Sequence, residues 1–551
     1  MRLFPFVTLS LLFFASVAHA FTGQCPSGDS FTCPVCDGTV TIQVEDCLEC
    51  DGFLQSDLTH DRCFNRRLFN IGAKRDDDSH YHYWWNDIVG AVIWFITAGI
   101  AISCGVGGGS VYVPMGMIVL QFAPKPASGL SQASIFGACV GGYILNCKNF
   151  HPETKIRHDP GVGEFQPLQV ELKSKREEQE YLDRGGVFYT RPVINYSMGL
   201  FMLPLQIAGA VLGVMIQKLL PNWLYLLTAA GLLIMVCYLT FGKYRSTAAK
   251  EKAKRMEQAE QIEDDATPDS DPNEIDQSVQ KSSIPQEDPH METRIEYLKE
   301  DMRQYPLESI AAAFALWSGL IVLNLMIGGR GMESVIGLDC ESSAYNILVA
   351  CQFVWLLCFA VFYGYKLMRS YNARKAVNYP FLHDDVVWSY SWLYFYGGFA
   401  FFGGAIGGLI GVGGALVLGP VLMITGIHPS VSTATTASMV VFTSSNIALM
   451  YVISGMVPKS YAIFYFCVCV VGALFGKSNI DAYVKRTGRA SLLILILCGI
   501  ITCSTVGCLS IALSGLANQD WCFDGFKPFC TVSAEAEVDF CSTAEDQLRF
   551  M

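Results

Sequence analysis

The sequence predicts an all-α, polytopic membrane protein. About 10–12 transmembrane or half-membrane helices form two inverted repeats, and a small disulfide-rich luminal module precedes them. Three observations carry this expectation. The 551 residues are 52% hydrophobic and only 16% charged, whereas soluble domains run nearer a quarter charged. Apolar runs of span length recur along the chain. Finally, GVGGGSVYVP (Gly105–Pro114) returns as GVGGALVLGP (Gly411–Pro420) in the same ten-residue register, each copy inside an apolar run without nearby charge.

Residues 1–20 have an early Arg2, a short apolar core and the ending Ala18-His19-Ala20, the pattern of a cleaved secretory signal, with an uncleaved anchor helix as the alternative. Residues 21–86 form a luminal or extracellular module with six cysteines, Cys25, Cys33, Cys36, Cys47, Cys50 and Cys63, in which C-x-x-C-D-G occurs twice. Two such pairs could hold zinc. After a secretory signal, however, disulfides are the expected outcome, and six cysteines leave the connectivity open. Cys522, Cys530 and Cys541 are further disulfide candidates in a luminal tail, residues 515–551.

The first transmembrane repeat spans residues 87–242 and contains a charged cytosolic loop, 148–191. Apolar pieces on either side of its glycines are too short to cross a ~30 Å hydrocarbon core comfortably. Residues 243–306 are a charged cytosolic linker. It opens with an exposed helix and then lacks the apolar content to fold. A connecting helix pair (307–368), a cytosolic loop (369–390) and the second transmembrane repeat (391–514) follow. Lys and Arg concentrate in 148–191, 243–306, 369–385 and 477–489, which places those loops in the cytosol and both termini outside. The first repeat then enters from outside and the second from the cytosol.

Each glycine in a helix interior costs about 1 kcal/mol relative to alanine, so Gly107, Gly108, Gly109, Gly413 and Gly414 read as breaks. Pro114 and Pro420 are expected near the first turn of each restarted helix, where a missing N–H does least harm. Irregular backbone survives at membrane depth only where protein or a wet cavity covers it. Paired broken helices in two halves of one chain point to a transport site. A restarting helix offers free N–H groups and about half a unit of positive charge, so two such ends brought together suit an anion.

After each break comes a hydroxyl-rich helix start: SGLSQAS (Ser128–Ser134) aligns with STATTAS (Ser432–Ser438). Candidate site residues beyond the five glycines are Ser110, Pro114, Ser131, Gln132, Ser134, Pro420, Thr435, Thr436, Ser438 and Asn446. The plainer readings are that Gly209/Gly213 and Gly403/Gly407/Gly411 only let helices pack closely, and that membrane Ser and Thr bond a preceding turn. Without Asp or Glu in the middle of a predicted span, a proton relay lacks its usual part. The chain also lacks a nucleotide-binding P-loop and a catalytic or metal-ligating cluster at depth. Neither an enzyme nor a cofactor is expected. The net charge of −12 comes without a basic, aromatic-laced patch, so nucleic acid is not an expected partner.

At these motifs the chain resembles the sulfite exporter TauE/SafE family of membrane permeases. The resemblance rests on both glycine motifs with their following SGLSQAS and STATTASMVVFTSSN, and on RPVINYSMGLFMLPLQIAGAVLGV (Arg191–Val214). GRASLLILIL (Gly488–Leu497) points to the eukaryotic branch. The resemblance implies transport of sulfite, sulfonates or related organic acids. Ala415 replaces the third glycine of the second motif. The expected function is therefore a small-anion permease working by alternating access in the plasma membrane or an endomembrane. The competing class is a non-transporting receptor or scaffold whose luminal module binds a partner. Membrane lipid and a small anion are the expected partners, and a homo-oligomer and a cytosolic partner for the 243–306 linker are compatible with this reading.

Overall fold

A computed structural model of the chain describes residues 30–32, 41–43, 84–151 (save 106, 121 and 123), 156–158, 166–167, 187–264, 290–327, 338, 342–381, 385–453 and 457–518 (save 488–489). Thirteen helices make up most of it: α1 Trp84–Ser103, α2 Gly109–Ile118, α3 Pro124–Asn146, α4 Tyr196–Leu219, α5 Asn222–Asp264, α6 Met291–Asp301, α7 Leu307–Ile327, α8 Ser343–Ala376, α9 Tyr390–Ile410, α10 Ala415–Ile424, α11 Pro429–Ile453, α12 Lys459–Thr487 and α13 Ala490–Asn518. Among the described residues, eight helices are long and apolar enough to cross a membrane, while α2 and α10 are short apolar helices. The fold is that of an integral, multi-pass membrane protein. Its few strands lie outside the apolar helices: β1 (Ser30–Thr32) pairs with β2 (Thr41–Gln43), and β4 (Gln166–Pro167), β3 (Ile156–His158) and β5 (Val187–Tyr189) form an antiparallel sheet in that order.

Both short helices double back on the helix before them. A Cβ at Gly90 in α1 would lie 2.8 Å from Leu120, just past the end of α2, so α2 returns toward the start of α1. Phe122 then stacks edge-on against Tyr461, whose hydroxyl donates to Asp87 in the first turn of α1. In the second unit, Gly403 of α9 faces Val417 and Leu418 of α10, with a Cβ there 3.5 Å from each.

Two reciprocal helix pairs lock these units. Gly209 and Gly213 of α4 meet the backbone of α9 at Phe401 and Ala405, and Gly404 and Gly408 of α9 meet α4 at Gln206 and Ala210. On the other side, Gly472 of α12 meets the backbone of α1 at Phe95, and Gly476 meets Gly99. Small residues allow this approach because lipid tails offer helices no hydrophobic drive to associate, leaving close van der Waals contact to hold them. The close-packing reading holds for Gly209 and Gly213, whereas on α9 the glycines that meet α4 are Gly404 and Gly408, and Gly403, Gly407 and Gly411 instead face α10 and Ser128.

Several expectations change. Pro114 and Pro420 are the sixth residues of α2 and α10, inside the helices rather than in their first turns. Because proline has no N–H, the carbonyls of Ser110 and Leu416 lose their usual donor four residues on. α1 begins at Trp84, a turn before the apolar run, and this brings Asp87 in as a fully buried carboxylate. The segment expected as linker holds, beyond its opening helix, all of α6, whose Leu298 is buried against Tyr379. Residues 1–20 and the cysteines proposed for disulfides lie outside the described residues.

Leucine at Gly209 or Gly472 would drive a side chain into a backbone carbonyl, an overpacking cost of about 1–3 kcal/mol. Each variant should melt several degrees lower in detergent, and an unchanged Tm would contradict the packing described.

Candidate functional site

The two glycine breaks have matching backbones. Gly105 and Gly411 both have φ 76°, and Gly107 and Gly413 have φ 78° and 84°. These left-handed values suit glycine because it lacks a Cβ. The third position diverges: Gly108 has φ 88°, whereas Gly414 is helical at φ −65°.

The breaks also touch. A Cβ at Gly109 would run into the carbonyl oxygen of Val412, so the start of α2 lies directly on the second break. Ile135 of α3 packs at both: a Cβ at Gly107 would lie 3.2 Å from its Cγ2, and one at Gly413 would lie 3.4 Å from its Cδ1. Each break additionally leans on the hydroxyl-rich helix of the other half, Gly105 on Thr433 and Gly411 on Ser128. The start of α2 and the break before α10 therefore lie against one another under the cover of protein, and beyond their first residues the helix starts are closed by Val111 and Tyr112 on the Gly108 carbonyl, Leu416 on Gly413 and Val417 on Gly414.

Among the polar candidates, Ser131 and Gln132 reach the second break. The Ser131 hydroxyl donates to the Gly411 carbonyl (2.7 Å), and Gln132 Nε2 donates to the Gly407 carbonyl (3.0 Å). Both side chains are fully buried, and Gln132 Oε1 finds no partner among the described residues. The hydroxyl of Ser110, in the first turn of α2, is likewise buried and unpartnered there.

The remaining candidates are engaged elsewhere. Ser134 accepts from Trp94 (2.9 Å) and donates to the Leu130 carbonyl (2.8 Å). Thr435 accepts from the Asn195 N–H (3.0 Å), while Thr436 and Ser438 donate to the Ser432 and Thr435 carbonyls (2.7 Å each). Ser438 also lines a narrow cavity of about 40 Å³ with Tyr143 and Tyr196. Asn446 ends a buried chain of carboxamides: Gln352 donates to Asn324 (2.9 Å), and Asn324 to Asn446 (2.7 Å).

Three features escaped the sequence reading. Gln206 of α4 is fully buried, with both amide atoms unpartnered among the described residues, and a Cβ at Gly414 would lie 2.5 Å from its Nε2. The available signal was a lone amide in the middle of an apolar span. Second, Ser128, Gln217, Tyr225 and Tyr451 form a buried cluster behind Gly411: Ser128 and Tyr225 hydroxyls are 2.6 Å apart, Gln217 donates to Ser128 (3.1 Å), and Tyr451 donates to Gln217.

The third is an ionic hub that ties the segment before α4 to the end of α6 and to the end of α8 with the stretch after it. Arg191 grips Asp385 with both carboxylate oxygens (2.9 and 3.1 Å) and donates to Tyr379 (2.8 Å). Arg374 pairs with Asp301 (2.9 Å), which also accepts from Tyr379 (2.6 Å). Burial works against the Arg191 charge, but Asp385, Tyr379 and Asp301 hold the guanidinium above its ordinary range. Burial, with Asp301 beside it, pushes the Tyr379 phenol up, so it remains a donor.

These features define a class: a multi-pass membrane protein in which two glycine-interrupted helix units meet backbone to backbone. Residues 349–516, from α8 to α13, match the family model described as "Sulfite exporter TauE/SafE". The chain is 23% identical over 475 residues to Sulfite exporter TauE/SafE family protein 3 of Arabidopsis thaliana, covering 85% of this chain and 89% of that protein. It is 22% identical over 418 residues to family protein 2 of the same plant, covering 74% and 79%. The resemblance to the sulfite exporter TauE/SafE family is thus borne out. No solved structure matches the chain.

Replacing Asp301 by Asn would remove the carboxylate shared by Arg374, Tyr379 and Arg191. The expected cost is about 1–3 kcal/mol, below that of a fully buried pair because the side chains stay partly wetted. A lowered Tm that Asp385→Asn lowers further would support the hub, and two silent variants would refute it.

Proposed function

We propose that the chain is a permease that moves a small anion, sulfite or a sulfonate or related organic acid, by alternating access around the two broken helices. The observation that carries this reading is the contact between the breaks, Gly109 on Val412, with Ile135 packed at both. Uncovered helix starts are tolerated at depth where they line a site, and paired N-termini favour negative charge without burying a fixed cation. The names of the Arabidopsis relatives and of the family model add sulfite as the anion to test first.

The inverted-repeat reading draws support from paired features. The φ values agree at two motif positions. Phe95 and Phe401 stand at equal distance before their motifs, ten residues ahead of Gly105 and Gly411, and each receives a glycine of the helix packed on it, Gly472 and Gly209. With the basic loops cytosolic, α1 and α2 enter and leave from outside, while α9 and α10 do so from the cytosol. Rocking of one unit against the other about the glycine contacts then exposes the site to each side in turn. The matched family span favours transport over the receptor reading.

Alanine at Gly109 would push a methyl group into the Val412 carbonyl, and valine at Gly414 would crowd Gln206. In proteoliposomes each should cut sulfite flux at least tenfold while the protein still inserts and purifies as a single species. Full flux from either variant would sink the proposal.

A further inference from the structure

The two breaks are not equivalent in what they offer a ligand. Gln206 and Cys469 occupy matching places, three residues before Gly209 and Gly472, the glycines that receive Phe401 and Phe95. At the first break the matching side chain is engaged, while the Ser110 hydroxyl stays unpartnered among the described residues. A Cβ at Gly108 would lie 2.8 Å from the Tyr112 ring, so the phenol fills that space, and the Cys469 thiol donates to the Tyr112 hydroxyl (3.7 Å). At the second break the matching position holds a carboxamide with nothing to bond. Gln206 is fully buried and both of its amide atoms are unpartnered among the described residues. Its Nε2 stands against Gly414, which precedes the ten-residue helix α10. Gly414 in turn lies against Gly407, where a Cβ would be 2.6 Å from the Gly414 nitrogen, and Gln132 is bonded to the Gly407 carbonyl. Two glutamines from different helices therefore flank one helix start.

We infer that Gln206, together with Gln132, is the selectivity contact of the anion path, holding at the start of α10 a singly charged oxyanion that still carries a hydroxyl group. This rests on the transport reading above and names the ionic form it takes. The charge preference follows from the helix start and the amide N–H groups, which attract an anion but supply no full positive charge to offset a second negative one. The hydroxyl requirement follows from the other end of each amide. Oε1 of Gln206 and Oε1 of Gln132 are both buried acceptors without donors, and a buried acceptor left unpaired is costly. A fully deprotonated oxyanion brings only acceptors and would set lone pairs against lone pairs. A monoprotonated oxyanion of the hydrogen sulfite type supplies negative oxygens to the N–H groups and an O–H to the carbonyl.

The test uses the full chain in proteoliposomes, with sulfite and methanesulfonate as probes; methanesulfonate keeps the oxyanion but lacks the hydroxyl. Wild-type flux of sulfite should rise on mild acidification in step with its monoprotonated form and exceed methanesulfonate flux about tenfold or more. Losing a charge-assisted contact corresponds to roughly a 10- to 100-fold change in affinity. Gln206→Met should therefore raise the sulfite KM by about that factor and erase the preference over methanesulfonate, and Gln206→Glu should abolish flux by charge repulsion. If the Met variant is not monodisperse, Gln206→Asn, which keeps both amide ends, decides instead: a raised KM with retained preference supports the assignment. Unchanged KM and unchanged preference in a well-folded Gln206 variant would overturn it, as would a wild-type protein that prefers methanesulfonate. A wild-type protein that moves neither probe would instead remove the transport reading beneath it.

Discussion

The structure depends on one close approach, the start of α2 against the carbonyl of Val412, where two interrupted helices meet main chain to main chain. Neither interruption is sustainable alone in an apolar medium, since each leaves N–H and C=O groups without helical partners. Meeting under the cover of α3, α4 and α11, the two lie against one another with Ile135 packed at both. The surrounding glycines make the meeting possible. Those on α4 and α12 draw α9 and α1 to backbone contact, and this fixes where each interruption sits.

The polar side chains around the breaks divide by what they do. Ser131 donates to the Gly411 carbonyl just past the end of α9, and Gln132 to the Gly407 carbonyl, which also accepts the Gly411 N–H. Thr436 and Ser438 bond their own helix, which hides a hydroxyl at little cost but leaves it less free to meet a ligand. Gln206 does neither, and that is why it marks the second break. Outside this centre, Arg191 and Asp301 link the segment before α4 to α6 and to the region after α8, so the charged connections are joined to the helical body by an ionic hub.

Much of this was legible in the chain. Repeated glycines in a charge-free run announce a break because glycine is the poorest non-proline helix former, and a motif that repeats in register announces a pair. Gln132 and Ser131 followed from the hydroxyl-rich start after the first break. What could not be read was spatial. Ser134 and Thr435 carry the same chemistry as Ser131, yet Trp94 and Asn195 claim them, and neither is near in sequence. Gln206 was passed over because a single amide in an apolar span is usually satisfied by a neighbour, and only the packing of α4 against α9 shows that it is not. Asp87, at the edge of the first repeat, carried no signal of its burial, which comes from the packing of Tyr461 and Tyr465 on the first turn of α1. Pro114 was placed by the rule for first turns, whereas here its missing N–H falls mid-helix and leaves the Ser110 carbonyl without its usual donor.

The most direct test is a density map of the protein in lipid nanodiscs with sulfite present. The account predicts the two glycine breaks in contact around Ile135, with anion density within hydrogen-bonding reach of the α10 start and of Gln206. Breaks held apart or turned toward lipid, or an anion bound elsewhere with Gln206 satisfied by a protein group, would contradict it.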